Sequence, residues 1–293
     1  MTQRTHVGFV GLGAIGLPMA RSLVSAGFPV TGVDPAELGR ERAAAAGINA
    51  VAGVEGLAEA SVIVVMVADS RQLSQVVDAA VAADVVRGRT WVIMSTVGTD
   101  AVKHAGAALE AAGAAVVDAP VSGGIARATR GDLVLFVSGP DVALATVEPV
   151  LRAMGEPRIV GAAVGDGQSI KVVNQHLCAV HIVAAAEALA LSERLGLDPA
   201  FVLETIGGGA AASFMLGDRG PRMLAGAEAP VLSQIGIFVK DTGLVADAAA
   251  AVDLDAPVLA AARERFLAAA ERGLTARDDS SVIETYLRKD GER

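Results

Sequence analysis

Short apolar runs alternate with helical patterns through the first half of the chain. The runs at residues 7–10, 30–33, 62–66, 91–94 and 115–117 consist mostly of apolar residues. Strands that are apolar along their whole length and are separated by helices are typical of a parallel sheet covered on both faces. Because crossovers between parallel strands are right-handed, the pattern predicts a doubly wound, Rossmann-type α/β fold. Two later runs, at 133–137 and 158–160, are predicted to be further strands of this sheet.

The second half of the chain has a helical pattern only. Residues 168–195 contain neither Gly nor Pro, which predicts one helix of about 42 Å at a rise of about 1.5 Å per residue. Further helices are predicted at 199–205, 231–250 and 257–272, and no strand pattern returns. The sequence therefore predicts two domains: a Rossmann domain at residues 1–163 and an all-α domain at 164–293, which begins with the long junction helix.

Composition and charge narrow the classes of function. The 293-residue chain has a formal net charge of −9, which gives no electrostatic reason to bind nucleic acid or an anionic membrane. No signal-peptide pattern precedes residue 7. The most apolar stretch, residues 177–191, is shorter than the span of about 20 residues that a membrane requires, and His181 and Glu187 interrupt it. A soluble, cytoplasmic protein is expected.

A glycine-rich turn joins the first predicted strand to the first helix. It fits the G-x-G-x-x-G pattern of dinucleotide-binding turns and comprises Gly11, Leu12, Gly13, Ala14, Ile15 and Gly16. The first glycine of such a turn allows a tight bend, the second lets a pyrophosphate approach the backbone, and the third lets the helix pack on the strand. The start of the helix offers N–H groups and a positive dipole end to the phosphates.

Asp34 follows the second predicted strand. A residue at this position indicates whether the protein binds NAD or NADP. A carboxylate there accepts hydrogen bonds from the adenosine ribose hydroxyls and repels a 2′-phosphate, so NAD is predicted rather than NADP. Arg40 and Arg42 could serve a 2′-phosphate, but solvated positions on the next helix are the simpler interpretation.

Three more segments follow strands and could contact ligands at the carboxyl edge of the sheet. Val67 and Ala68 follow one strand and Thr96 the next, although turn and helix-cap roles are equally open for them. In residues 118–124, the hydroxyl of Ser122 and the amides of Gly123 and Gly124 could hold a carboxylate. Read alone, that segment is most simply a loop.

Lys171 lies in the second turn of the long helix, after Gly165 and Gly167, with Gln175 one turn further on the same face. Taken alone it is most simply a solvated charge. However, the lysine motif and the other segments, taken together, resemble the β-hydroxyacid dehydrogenase family. The resemblance covers nearly the whole chain. Further segments that resemble the family are residues 118–124 with Gly131 after them, 165–171, 238–244 and 278–283. Ordered motifs at appropriate intervals are more specific than any one of them.

The resemblance implies an NAD-dependent dehydrogenase that acts on a small hydroxyacid. Lys171 would be the general acid/base. Ser122, Gly123 and Gly124 would hold the substrate carboxylate, and Thr96 and Lys240 would lie near the nicotinamide. Retention of Lys171 argues against the alternative from another class, a non-catalytic NAD-binding sensor.

Within the family, the lysine helix is most similar to the branch that oxidises L-threonate. Most other members carry Asn where Gln175 stands, so Gln175, next to Asn174, favours a longer and more hydroxylated acid. A neutral exchange is the alternative, because Gln offers the same amide groups on a longer stem. A 3-hydroxyisobutyrate dehydrogenase or tartronate semialdehyde reductase activity therefore remains open.

The sequence also allows predictions about metal binding, about the oligomeric state and about the walls of the substrate pocket. His176 and His181 are poorly spaced to share a metal, and no Cys or carboxylate cluster is evident beside them, so no metal is predicted. The apolar second half predicts a homodimer or homotetramer. The pocket walls are expected in the all-α domain, with Phe214, Arg219, Ile235 and Phe238 as candidates.

Overall fold

A computed structural model of the chain describes residues 5–287. Residues 1–4, which belong to the segment where no signal peptide is predicted, lie outside the described residues. The chain divides into two compact units, Met1–Lys171 and Val172–Arg293. The division falls within the long helix, shortly after the boundary predicted at residue 163.

The first unit is built on a nine-stranded sheet within the described residues. Six strands are parallel in the order β3-β2-β1-β4-β5-β6, which is the order of a doubly wound dinucleotide-binding sheet and confirms the predicted fold. The strands are β1 (Val7–Val10), β2 (Val30–Val33), β3 (Asn49–Val51), β4 (Val62–Val65), β5 (Thr90–Ile93), β6 (Ala115–Asp118), β7 (Val121–Ser122), β8 (Leu133–Ser138) and β9 (Gly155–Gly161).

The far end of the sheet is mixed, a feature that the sequence pattern did not predict. β8 runs antiparallel to β6 and to β7, and β9 runs parallel to β8. The apolar pattern also missed β3 and β7, which are only three and two residues long. Strands this short carry too few positions to form a pattern of their own, and pairing with a neighbour defines them.

Helices cover both faces of the sheet, which explains the continuous apolar runs. In β1, Phe9 packs into one buried cluster and Val10 into the other; in β4, Val64 and Val65 divide in the same way. Both faces must therefore be apolar. The helices of this unit are α1 (Gly16–Ser25), α2 (Glu37–Ala45), α3 (Ser70–Ala82), α4 (Thr99–Ala111), α5 (Gly124–Arg130) and α6 (Asp141–Met154), and α7 (Asp166–Arg194) begins in it.

The second unit is helical throughout its described part, as predicted, apart from one isolated bridge between Gln234 and Asp278. The rest of α7 packs with α8 (Pro199–Ile206), α9 (Phe214–Ala225), α10 (Ile235–Ala250), α11 (Pro257–Glu271) and a short 3₁₀ helix, Asp279–Thr285. The sequence did not predict α9, because Pro221 and two glycines interrupt its pattern.

Helix α7 is the one described helix that could cross a membrane by length and composition alone. In the structure, 44% of its most apolar window is buried. Ala179, Ile182 and Leu189 of this helix belong to the core of the second unit.

Candidate active site

The glycine turn adopts a shape that two of its glycines require. Gly11 has φ +92°, and a Cβ there would overlap the carbonyl oxygen of Met66. A Cβ on Gly16 would overlap the carbonyl oxygen of Gly11, so helix α1 approaches the turn as closely as backbone allows. Gly13 is exposed, and apart from its neighbours in the chain no atom lies within 4 Å of the position of its Cβ. The turn therefore leaves open space beside its middle glycine.

This turn lies where the strand order reverses, between β1 and β4, which is the usual ligand crevice of such sheets. Within the described residues, α1 starts at Gly16 with no side-chain cap from Ile15 and no acid in its first turn. N–H groups at such a helix start can bind phosphate oxygens. The residues present therefore fit the pyrophosphate of a dinucleotide.

Asp34 connects the end of β2 to the glycine turn. Its Oδ2 accepts the Leu12 N–H at 2.8 Å, and its Oδ1 accepts the Ala36 N–H at 2.9 Å. Each carboxylate oxygen can accept a further hydrogen bond, as ribose hydroxyls require. Arg40 lies nearby, where its Nη1 donates to the carbonyls of Asp34 and Pro35.

The ends of β4 and β5 are joined directly. The N–H of Val67 donates to Ser95 Oγ at 2.7 Å, and the N–H of Ala68 donates to Gln72 Oε1 at 3.0 Å. Thr96, next to Ser95, is half-buried. The structure thus brings the segments of Val67 and Thr96 together.

Ser122, Gly123 and Gly124 form a bend between β7 and α5. Gly123 has φ +138° and Gly124 has φ +66°, conformations that L residues with a Cβ rarely adopt. Helix α5 begins at Gly124, and Gly123 provides no side-chain cap. Ser122 therefore lies directly before a glycine turn, and the successive backbone N–H groups of such turns can bind an anion.

Asp118 precedes this loop in the sequence but points to a different part of the structure, the start of α7. It is fully buried at the end of β6. Its Oδ2 accepts the N–H groups of Gly165 and Gln168 at 3.1 and 2.9 Å, and its Oδ1 accepts Gln168 Nε2 at 3.0 Å. Burial raises the pKa of the Asp118 carboxyl to about 6, against hydrogen bonds from Gln168, Gly165 and Ser138 that lower it. Asp118 thus binds the start of α7.

The two glycines before Lys171 allow this close contact. Gly165 has φ +107°, and a Cβ on Gly167 would crowd the Phe136 carbonyl oxygen and the Asp118 carboxylate. The N–H of Gly167 donates to Ser138 Oγ at 3.0 Å. The first turn of α7 is therefore held against β6 and β8, and Lys171 follows in the next turn with 6% of its surface exposed.

In the second unit, Asp241 connects two predicted site residues. Gln175 Nε2 donates to Asp241 Oδ2, and Lys240 Nζ lies 2.8 Å from Asp241 Oδ1. Asn174 Nδ2 donates to Gln175 Oε1 at 2.9 Å. Asp241 lies within the 238–244 segment that resembles the family, but the sequence alone predicts no role for it. Its position directly after Lys240 was the available signal.

The four residues predicted to form the pocket walls differ in their burial and in their contacts. Ile235 and Phe238 are buried in the core of the second unit, where Phe238 stacks on Phe266 with ring centroids 4.9 Å apart. Arg219 forms an ion pair with Asp279 at 2.9 Å, whereas Phe214 is exposed.

Candidate metal ligands are scattered. Among residues 5–287, no three His, Cys, Asp or Glu side chains are grouped so that they could hold a metal ion.

Comparison with known proteins gives consistent matches over both units. Residues 6–173 match the family described as the NAD binding domain of 6-phosphogluconate dehydrogenase. Residues 165–286 match the family described as NAD-binding of NADP-dependent 3-hydroxyisobutyrate dehydrogenase.

Individual relatives match nearly end to end. An L-threonate dehydrogenase of Cupriavidus necator is 38% identical over 285 residues, which cover 96% of each chain. A 2-hydroxy-3-oxopropionate reductase of Escherichia coli is 32% identical and covers 95% of this chain and 96% of its own. The crystal structure of a 3-hydroxyisobutyrate dehydrogenase from Salmonella typhimurium superposes with a TM-score of 0.88 at 32% identity, covering 96% of this chain and 99% of its own.

These likenesses confirm the resemblance that the motifs indicated. They cover the parallel sheet with its glycine turn as well as the helical second unit. The relatives named above are dehydrogenases and reductases of hydroxyacids. The chain therefore belongs to the β-hydroxyacid dehydrogenase family and is a hydroxyacid dehydrogenase that uses a nicotinamide cofactor.

Proposed function

We propose that the protein oxidises L-threonate, or a closely similar polyhydroxy acid, with NAD as the cofactor and Lys171 as the general acid/base. Relatives named L-threonate dehydrogenase are 32–38% identical to this chain and cover 96–97% of it. The observation that carries the role of Lys171 is its burial on a helix whose first turn is hydrogen-bonded to the ends of β5, β6 and β8.

In this proposal, the residues of the chain bind the acid and move one proton. A bound nicotinamide supplies the hydride acceptor. Lys171 Nζ takes the proton of the substrate hydroxyl as its carbon becomes a carbonyl, and it returns that proton in the reverse direction. Ser122, Gly123 and Gly124 bind the carboxylate through the hydroxyl and backbone N–H groups.

Gln175 and Asn174 bind the further hydroxyls of the acid. The bond from Gln175 Nε2 to Asp241 supports this role, because it fixes which way the amide of Gln175 points. Gln175 Oε1 accepts a hydrogen bond from Asn174 Nδ2, so the two amides are joined to each other. A buried amide with a fixed orientation suits a substrate that carries several hydroxyl groups.

The cofactor is held along the glycine turn, residues Gly11, Leu12, Gly13, Ala14, Ile15 and Gly16, with Asp34 at the adenosine ribose. The charge of Asp34 favours NAD, because it would repel a 2′-phosphate. Val67, Ala68, Thr96 and Lys240 lie along the remainder of the cofactor toward the nicotinamide.

We further propose a cytoplasmic homodimer or homotetramer. Leu191, Leu195 and Phe201 of the second unit are 55–66% exposed, and apolar surface of this kind favours a second copy of the chain. Sedimentation of the purified protein distinguishes these states from a monomer.

A substrate panel tests the function. Purified protein is supplied with NAD, or separately with NADP, and with L-threonate, other C4 to C6 sugar acids, glycerate or 3-hydroxyisobutyrate. The appearance of the reduced cofactor is then measured. We expect the highest kcat/KM with L-threonate and NAD. A higher value with glycerate or 3-hydroxyisobutyrate would assign the substrate to one of the other family activities.

A second experiment tests the acid/base. Lys171→Ala is expected to lower kcat by about 10²- to 10⁴-fold, because the hydroxyl proton loses its acceptor. Lys103→Ala, at an exposed lysine on α4, is the control and should keep kcat. Full turnover by Lys171→Ala with every accepted acid would show that the mechanism is wrong.

A further inference from the structure

Gln168 is a fully buried amide in the first turn of α7, three residues before Lys171. All four of its side-chain hydrogen bonds are made. Oε1 accepts the N–H groups of Val97 and Gly98, both at 3.1 Å. Nε2 donates to the Ser95 carbonyl at 2.9 Å and to Asp118 Oδ1 at 3.0 Å. A flipped amide would place its NH₂ group against two N–H donors, so the orientation of Gln168 is fixed.

These bonds join segments that are distant in the sequence. Ser95, Val97 and Gly98 follow β5 and flank Thr96, a proposed cofactor contact. Ser95 also accepts the N–H of Val67, another proposed contact, through its hydroxyl. Asp118 ends β6 and binds the backbone of Gln168 as well as its side chain. One buried side chain therefore fixes the turn that precedes Lys171 against the loop at the proposed nicotinamide end of the site.

We infer that Gln168, oriented by Asp118, is the positioning residue that sets the place of Lys171 relative to loop 95–98. This inference rests on the proposed role of Lys171. A shift of about 1 Å in a reacting group can cost about 10²-fold in rate, so a residue that touches neither substrate nor cofactor can control kcat.

The donor and acceptor pattern allows a reciprocal exchange. In Gln168→Glu, an oxygen replaces Nε2 and faces the acceptor oxygens of Asp118 and Ser95. In Asp118→Asn, an amide nitrogen replaces Oδ1 and faces the donor Nε2 of Gln168. In the double variant the new amide of residue 118 donates to the new carboxylate of residue 168, and the total charge is unchanged. Each single variant therefore breaks the bond between residues 118 and 168, which the double variant restores, whereas the bond to the Ser95 carbonyl is lost wherever residue 168 is Glu.

The test measures kcat per cofactor-binding site. Trp91 is the only tryptophan of the chain and is buried in β5, so energy transfer from it to bound NADH counts the sites that are folded and competent. Kinetics use the acid turned over best in the panel. We expect each single variant to lose about tenfold or more in kcat per site, with a smaller change in substrate KM, and the double variant to exceed both. Gln75→Glu and Asp78→Asn, exposed on α3, are matched controls and should behave as wild type.

Three results would overturn the inference: wild-type kcat per site in Gln168→Glu, a double variant no better than the worse single one, or a loss explained wholly by fewer NADH-binding sites. Lys171→Ala separates this inference from the proposed function. If Lys171→Ala keeps turnover, the proposed function fails. If it loses turnover while the exchange at residues 118 and 168 has no effect, only the positioning role fails.

Discussion

Asp118 binds Gln168 at two points: its Oδ2 accepts the backbone N–H at 2.9 Å, and its Oδ1 accepts the side-chain Nε2 at 3.0 Å. A charged acceptor is thus buried completely at the start of α7. The cost of burial exceeds the gain from the hydrogen bonds, which is why the pKa of the Asp118 carboxyl lies at about 6 rather than near 3.8.

This pKa predicts a pH dependence of stability with a definite sign. Between about pH 4 and 6, the unfolded chain has ionised Asp118 whereas the folded chain still holds its proton, so stability falls as pH rises. A difference of about two pKa units corresponds to ~3 kcal/mol. Relative to wild type, Asp118→Asn should therefore gain free energy of unfolding as pH rises through this range, measured by urea unfolding at several pH values. A difference from wild type that stays constant with pH would contradict the prediction.

A second prediction concerns the choice of cofactor at Asp34. Asp34→Asn keeps one side-chain oxygen for the Leu12 N–H, loses the bond from the Ala36 N–H, and removes the charge that would repel a 2′-phosphate. We expect the ratio of the NADPH to the NADH dissociation constant to fall by about tenfold, which corresponds to about 1.4 kcal/mol. Energy transfer from Trp91 reports both constants. Glu41→Gln, exposed on α2, is the control for charge; a ratio unchanged in Asp34→Asn would refute the role of Asp34.

The open space beside Gly13 gives a third prediction. The methyl group of Gly13→Ala meets no atom within 4 Å apart from its neighbours in the chain, so the free energy of unfolding should change by less than about 1 kcal/mol. A pyrophosphate that approaches the backbone there would collide with the new methyl group, and the NADH dissociation constant should rise by about tenfold or more. Gly217→Ala, at an exposed glycine of α9 with equally open space, should leave NADH binding unchanged. Wild-type affinity in Gly13→Ala would place the pyrophosphate elsewhere.

A fourth prediction concerns the stability of the second unit. Arg222 contacts Asp218, Asp278 and Asp279 at 2.9, 2.9 and 3.3 Å, and the last two carboxylates are buried. Arg222→Met removes a positive charge that pairs with these three carboxylates, two of which are buried. The free energy of unfolding should therefore fall by about 3–5 kcal/mol. Arg263→Met, on an exposed face of α11, is the control. Equal stability of the two variants in urea would show that the cluster does not stabilise the fold.

The sequence predicted those features that consecutive residues encode. Strands β1, β4 and β5 could be predicted from their apolar runs, because a strand buried on both faces needs apolar residues at every position. The glycine turn can be predicted for a similar local reason. A Cβ on Gly16 would overlap the backbone of Gly11, five residues away, and a Cβ on Gly11 would overlap the backbone of Met66, just after the adjacent strand. The long helix α7 follows from a stretch without Gly or Pro.

Other features depended on residues far apart along the chain. Gln168 bonds to residues 50 to 73 positions away, and Asp241 joins Gln175 across 66 positions, so no local pattern marks these side chains as part of a site. The short strands β3 and β7 and the antiparallel β8 were likewise defined by their neighbours. The sequence by itself determined the fold class, the glycine turn and the lysine helix, because short-range sterics and periodic burial specify them. Only the tertiary structure decided which buried polar groups hold that helix in place, because a hydrogen bond depends on where its two partners meet in space.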